Sequence, residues 1–271
     1  MKKQSSVVYK PTKGDLLKSA RKLDFFKVSG DKVFATLQGE GLLESEGGTA
    51  GCPAVFLRLQ FCNLHCGFPN GWRCDTGYTW DTKRAEYWQE PEDWSIEKTK
   101  IEIEKAWVDK FGLDKNIQKR VVITGGEPLL QQDLIVKLLN QMKDWQVEIE
   151  TNGTIKPSPE LIQCQINCSP KLANSGNEKK LRFRPEVLSL INGWPVGWFK
   201  FVVSRVEDLK EIEEIVESCN LNPKRVLIMP EGLTKEAVTE HQTLVQKDTN
   251  SRGWRIIERN QLIWFGPKRR T

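Results

Sequence analysis

Three cysteines stand close together early in the chain: Cys62 and Cys66 bracket Asn63-Leu64-His65, and seven further residues separate Cys66 from Cys74. Thiolates so spaced serve metals. Three of them can hold three irons of a 4Fe-4S cluster and leave the fourth iron without a protein ligand. That open corner lets a small molecule bind the metal and receive an electron, whereas a cluster held by four cysteines ordinarily only passes electrons on. Zinc is the competing metal, because the same cysteines with His65 or Cys52 make a tetrahedral set. A zinc ribbon would bring a second paired knuckle. Cys164 and Cys168 repeat the spacing but flank Ile166 in a strand-like run, and they read as packing residues, as do Cys52 and Cys219. Spacing alone leaves both metals open.

The elements that must position these thiols follow from hydrophobic periodicity. Pro53 to Phe61 (PAVFLRLQF) reads as a strand leading straight into Cys62, and Ser95 to Phe111 as an amphipathic helix. Val121 to Thr124 is a short buried strand ending in Gly125-Gly126, followed by a helical stripe of Leu130, Leu134, Leu138 and Met142. Pro128 suits the first turn of that helix, where its missing N–H costs nothing. Further strands are expected at Val147 to Ile149, around Ile166, at Trp198 to Val203 and at Arg225 to Met229, with a helix carrying Leu209, Ile212, Ile215, Val216 and Cys219. Strands alternating with helices predict an α/β fold of parallel βαβ units, as an open sheet or an incomplete barrel.

Composition narrows the class. The 271 residues are 38% hydrophobic with ten tryptophans, enough for a core, and the net charge of +5 is spread rather than striped. Residues 1–30 read as a polar extension with weak helical character, and 31–271 as one domain. No apolar stretch follows Met1-Lys2-Lys3, and no run approaches the ~18 residues of a membrane span. A secretory signal and a membrane anchor are therefore not expected. Seven cysteines without an export signal point to reduced thiols in the cytoplasm rather than a disulfide framework.

Motifs around the cysteines carry a resemblance. Gly125-Gly126-Glu127-Pro128, at a strand's end downstream of the cysteine loop, resembles the second hallmark of the radical S-adenosylmethionine (SAM) superfamily. The order Thr36-Leu37-Gln38-Gly39-Glu40-Gly41, Arg58-Leu59, Cys74-Asp75-Thr76, Glu150-Thr151-Asn152-Gly153-Thr154, Ser169-Pro170-Lys171 and Met229-Pro230-Glu231-Gly232 is similar to the 7-carboxy-7-deazaguanine synthase family, from about Val33 to about Lys268. The resemblance implies an incomplete (β/α) barrel with outer helices. It also implies a lyase that converts 6-carboxy-5,6,7,8-tetrahydropterin to 7-carboxy-7-deazaguanine with release of ammonia, a step toward queuosine and related 7-deazapurines. A 5′-deoxyadenosyl radical from SAM would take a hydrogen and later return it.

The same resemblance implies a site. Cys62, Cys66 and Cys74 would hold the 4Fe-4S cluster, and Thr76 would ligate magnesium, a hard cation suited to oxygen. Arg73, Asp75, Gly126, Glu127, Ser169, Lys171, Met229, Pro230 and Glu231 would meet SAM, with Glu127 receiving its amino group. Leu37, Gln38, Gly39, Glu40, Arg58 and Thr124 would meet the pterin, Arg58 pairing with its carboxylate as a planar fork. Partners implied are an external donor such as flavodoxin or ferredoxin and a second copy in a homodimer, with no membrane and no direct nucleic acid. The chain departs from the family pattern twice. Seven residues, Gly67 to Arg73, replace the usual two before the last cysteine, with Trp72 set to pack beside the cofactor. Gln261, in the segment Arg259 to Gly266 that resembles a closing strand, stands where a histidine is common and cannot titrate near neutrality. His241 reads as a surface helix residue. Two rivals remain: an activase making a glycyl radical in a partner protein, and a zinc-stabilised nucleic-acid-binding module.

Overall fold

The computed structural model describes residues 14, 18, 22–37, 49, 51–67, 70–114, 116–260 and 262. Among these, nine strands form one sheet in the order β3-β1-β2-β4-β5-β6-β7-β8-β9. They are β1 (Phe26–Leu37), β2 (Pro53–Leu59), β3 (Glu92–Trp94), β4 (Arg120–Gly125), β5 (Gln146–Thr151), β6 (Gln165–Cys168), β7 (Gly197–Val203), β8 (Val226–Pro230) and β9 (Arg255–Ile256). From β2 through β4 to β9 every pairing is parallel, while β1 runs antiparallel to β2 and β3.

All six strands expected from sequence are present, and the helices sit between them as parallel crossovers require. The helix α1 (Ile96–Phe111) starts where Ser95 Oγ accepts from Lys98 N at 3.1 Å. It stops at Gly112, whose φ of 76° ends a helix without strain. Thr99, Ile103 and Trp107 recur at helical spacing and are buried toward β1 and β2. The stripe after β4 begins as a 3-10 turn, Pro128–Gln131, and continues as α2 (Gln132–Leu139). Leu134, Leu138 and Met142 join the main core, as do residues of α3 (Pro185–Asn192) and α4 (Glu207–Ser218).

That core lies on one face of the sheet. Leu57, Ile123, Ile149, Ile166, Phe199, Phe201 and Ile228, at alternate strand positions, are all fully buried in it. Cys164, Cys168 and Cys219 belong to it too, as expected of packing cysteines.

Three features depart from the sequence reading. The boundary set at residue 30 falls inside β1, because Phe26 and Val28 are fully buried and pair with Trp94 and Glu92 of β3. The helix α5 (Lys235–Ser251) was foreseen only at His241, since only Val238, Val245 and Thr249 of its seventeen residues are buried. Among the described residues the last strand is Arg255–Ile256; Asn260 and Leu262, in the segment expected to be a closing strand, are helical, while Gln261 and residues 263–271 lie outside the described residues.

Candidate active site

The cysteine loop opens where β2 ends. Phe61 takes a φ of 80°, unusual for a bulky side chain and worth about 1–3 kcal/mol of strain. Its amide donates to Thr79 O at 2.8 Å, and its carbonyl accepts from Glu127 N at 2.7 Å. Leu59 O accepts from Gly126 N at 3.2 Å, so the turn after β4 is laced onto the residues before Cys62. This approach explains both glycines. A Cβ on Gly125 would lie 2.0 Å from Leu59 O, and one on Gly126 would lie 2.1 Å from Phe61 O.

Glu127 is turned inward. It is fully buried, with Oε1 accepting from Leu129 N (3.0 Å) and Thr151 Oγ1 (2.9 Å) and Oε2 accepting from Asn152 N (2.7 Å). Burial pushes its carboxyl up to about 7 despite those donors. In this geometry the side chain braces the ends of β4 and β5.

Each cysteine sulfur has a polar neighbour. Asn152 Nδ2 is 3.9 Å from Cys62 Sγ, Asn177 Nδ2 is 3.4 Å from Cys66 Sγ, and Thr76 Oγ1 is 3.4 Å from Cys74 Sγ. Burial, and then the nearby Cys66 thiol, push the Cys62 thiol up to about 12. Among the described residues no three His, Cys, Asp or Glu side chains are grouped to hold a metal ion. A cluster makes a looser demand, because each thiolate meets a different iron. Three mutually repelling thiols, each facing an N–H or O–H, fit a cationic iron core whose charge lowers their pKa values and whose sulfur ligands accept hydrogen bonds.

Gly67 and Trp72 of the seven-residue insert are laid against the loop after β6. Gly67 N donates to Ser175 O at 2.9 Å, and Trp72 donates from its amide to Asn174 O (3.2 Å) and from Nε1 to Asn174 Oδ1 (3.0 Å). Trp72 then packs with Val202, Leu227, Met229 and Ile257 at the mouth of the barrel. Lys171 Nζ lies 5.9 Å from the centre of its ring and donates to Ser169 Oγ at 2.7 Å. Arg73 and Asp75 are exposed, with Asp75 Oδ2 accepting from Arg259 at 2.7 Å while the same guanidinium donates to Gly232 O at 2.7 Å. Pro230 is buried and Glu231 N donates to Val203 O at 2.7 Å. His241 is not a plain surface residue: its Nδ1 lies 2.7 Å from Glu231 O and 3.6 Å from the Glu231 carboxylate.

Facing away from the main core, Arg58 stands level with Thr124 in the sheet. Thr124 Oγ1 donates to Glu150 Oε2 at 2.6 Å, and Lys200 Nζ lies 4.0 Å from Glu150 Oε1. Arg58 Nε is 3.3 Å from Asp31 Oδ2, and Asp31 in turn accepts from the Tyr78 hydroxyl. Burial opposes the charge on Arg58, but Tyr78, Asp31, Asp75 and Glu150 outweigh it and raise its pKa. Leu37 is not brought to this group; it is half exposed and pairs with Pro53, at the opposite end of β2 from Cys62. Gln38, Gly39 and Glu40 lie outside the described residues.

Sequence reasoning quoted Glu150 within a motif without giving it a role, and missed Asp31, Tyr78, Lys200 and Asn177. Charges alternating with apolar residues inside strands, as in Glu148-Ile149-Glu150 and Phe199-Lys200-Phe201, are the signal that could have singled out Glu150 and Lys200.

No family model matches the chain. Individual relatives do. A 7-carboxy-7-deazaguanine synthase from Pyrobaculum aerophilum is 33% identical over 244 residues, covering 88% of this chain and 95% of the relative. One from Rhodopirellula baltica is 32% identical over 255 residues, covering 89% and 87%. The crystal structure of QueE from Escherichia coli superimposes with a TM-score of 0.58 at 23% identity, over 89% of this chain and 97% of that one, which supports the incomplete barrel. Identity at a third of positions along nearly the whole of both proteins goes beyond a shared barrel, and the chain belongs to the 7-carboxy-7-deazaguanine synthase family of radical SAM enzymes.

Proposed function

We propose that the protein converts 6-carboxy-5,6,7,8-tetrahydropterin to 7-carboxy-7-deazaguanine with loss of ammonia, using Cys62, Cys66 and Cys74 for a 4Fe-4S cluster. The observation that carries this reading is the meeting of the cysteine loop and the Gly125-Gly126 turn at the end of strands whose inner face bears Arg58, Thr124 and Glu150. When bound, cluster and SAM supply the 5′-deoxyadenosyl radical that starts the ring contraction.

The chain's own residues bind, orient and shield. Arg58, kept charged by its acidic neighbours, is the partner for the substrate carboxylate. Thr124, its hydroxyl donating a hydrogen bond to Glu150, keeps its oxygen lone pairs for donors on the pterin. Glu150, with Lys200 at 4.0 Å, is the group on this face able to accept or return a proton during loss of ammonia. Leu37, Gln38, Gly39 and Glu40 belong to the pterin contacts by motif alone.

Gly126, Ser169, Lys171, Met229, Pro230 and Glu231 sit at the ends of β4, β6 and β8, on the same rim as Cys62, which suits contacts with SAM. Arg73 and Asp75 flank Cys74 on that rim. Glu127 would contribute there through its backbone, since its carboxylate is already used.

Thr76 Oγ1 suits magnesium in chemistry and orientation: its proton can point at Cys74 Sγ or Gly125 O, each 3.4 Å away, leaving a lone pair outward. Magnesium keeps several waters and takes its other ligands from substrate. The proposal also includes an external one-electron donor such as flavodoxin or ferredoxin, a homodimer and a cytoplasmic setting. The free state of all seven cysteines and the lack, among the described residues, of any helix long and apolar enough to cross a membrane are compatible with that setting.

Anaerobic reconstitution followed by turnover of the carboxytetrahydropterin, with and without magnesium, tests the reading. 5′-Deoxyadenosine and ring-contracted product are expected without any partner protein. Thr76→Ala should lose the stimulation by magnesium; undiminished turnover in that variant ends the metal-ligand role.

A further inference from the structure

Asn177, on the loop after β6, reaches across to the cysteine loop with both ends of its side chain. Its Oδ1 accepts from His65 N at 2.9 Å, and its Nδ2 is 3.4 Å from Cys66 Sγ. The first bond settles which end is which, because an oxygen must face the His65 N–H and the amide N–H2 must therefore face the sulfur. The second amide hydrogen has Ser175 Oγ at 3.1 Å and Ser175 O at 3.5 Å. Arg182 holds the loop from behind, Nε donating to Asn177 O at 3.0 Å and Nη1 to Lys171 O at 2.9 Å.

The other two sulfurs are served less directly. Asn152 Nδ2 lies 3.9 Å from Cys62 Sγ and also donates to Asn63 Oδ1 at 2.9 Å. The Thr76 hydroxyl divides between Cys74 Sγ and Gly125 O, both at 3.4 Å. Thr76 matches Asn177 in distance but has one proton for two acceptors, so Asn177 is the donor whose direction is fixed.

We propose that Asn177 is a positioning residue that sets the reduction potential of the cluster, its amide N–H stabilising negative charge on the Cys66 sulfur. This rests on the cluster assignment made above. Reduction adds an electron shared by iron and thiolate, so a donor to sulfur stabilises the reduced form more than the oxidised one and raises the potential. Acceptance from His65 N fixes the direction of that donor without using it up.

The test is an EPR-monitored reductive titration of the anaerobically reconstituted full chain, with iron and sulfide measured first. Asn177→Asp keeps the acceptor for His65 N and removes the donor; Asn177→Ala removes both. Both variants should load the cluster and reduce at lower potential, Asn177→Asp the lower of the two. A tenfold weakening of the one-electron equilibrium corresponds to about 59 mV. Asn152→Ala should shift it less. Full loading with an unchanged midpoint in both Asn177 variants overturns the proposal, and so does failure of both to load while their thermal unfolding is unaltered, which would make Asn177 an assembly residue instead. Absence of a 4Fe-4S signal in the unsubstituted chain would instead sink the cluster assignment itself, and it is read before any variant is compared.

Discussion

The two faces of the parallel strands are built on different chemistry. On the outer face Leu57, Ile123, Ile149, Phe199, Phe201 and Ile228 are fully buried under helices in one continuous apolar cluster. On the inner face Arg58, Thr124, Glu148, Glu150, Asn167 and Lys200 alternate with the outer residues, alongside the apolar Phe56, Val122, Trp198, Val202, Leu227 and Met229. Strands of a parallel sheet usually carry apolar side chains on both faces. Charges out of water weaken a fold unless paired, and apolar replacements of similar volume are often neutral or stabilising. The polar part of the inner face therefore serves recognition, not stability. It also has two levels. At the start of the strands Glu148 is closed off by Arg120 (2.7 Å), Asn167 (2.8 Å) and Gln165 (3.1 Å). Nearer the cysteines Glu150 and Lys200 stand 4.0 Å apart, a looser pairing than that of Glu148 with Arg120.

Replacing a thiol should produce the sharpest contrast between the faces. Cys66→Ser is expected to abolish the cluster's visible absorption and all turnover while the apoprotein unfolds at its usual denaturant midpoint. Phe201→Ala should do the reverse. A fully buried phenylalanine lost from a packed core costs about 3–5 kcal/mol, read by urea denaturation, while the folded fraction retains its KM. A Phe201→Ala protein of normal stability but poor turnover would break the division between faces.

The outer face was legible in the sequence because its cause is periodic. Apolar residues recurring along β2 and β4 to β8 mark strands wherever they occur. β1 escaped because Ser29-Gly30-Asp31-Lys32 reads as a turn. In the fold those residues are an irregularity between the Val28 and Val33 pairings, with Lys32 at a φ of 51°. The cysteines and Gly125-Gly126 were legible as motifs, since metal ligation and close backbone approach each demand one residue type. Asn177 was not, because asparagine is common in loops and its partners His65 and Cys66 lie more than a hundred residues away. Asp31 and Tyr78 were hidden for the same reason: their meaning comes from Arg58, which only the sheet brings near.

Glu127 joins the two faces and offers a measurement between them in size. Its carboxyl is raised from 4.5 to about 7 by burial, so the folded protein holds a proton that the unfolded chain releases between those values. Stability of the apoprotein should be highest below about pH 4.5 as far as this group is concerned, and should fall by about 3 kcal/mol as pH rises through 7. Glu127→Gln should flatten that slope in urea unfolding measured from pH 5 to 8, at the cost of leaving Leu129 N or Asn152 N with a poorer acceptor. An unchanged slope would mean that the three donors keep the carboxylate ionised in the fold.

Glu150→Gln is the smallest change and bears most directly on the inner face. Glutamine keeps an oxygen to accept from Thr124 Oγ1 but removes the charge that faces Lys200 and Arg58. The side chain is partly exposed, so stability should move by less than about 0.5 kcal/mol, as for substitutions away from a core. Turnover should suffer more, with kcat/KM falling about 10- to 100-fold, or about 1.4–2.7 kcal/mol of lost transition-state stabilisation. If Glu150 moves a proton, the loss falls on kcat and the limb of the pH–rate profile that it controls disappears. If it only shapes the pocket around Arg58 and Thr124, KM rises and the profile keeps its form.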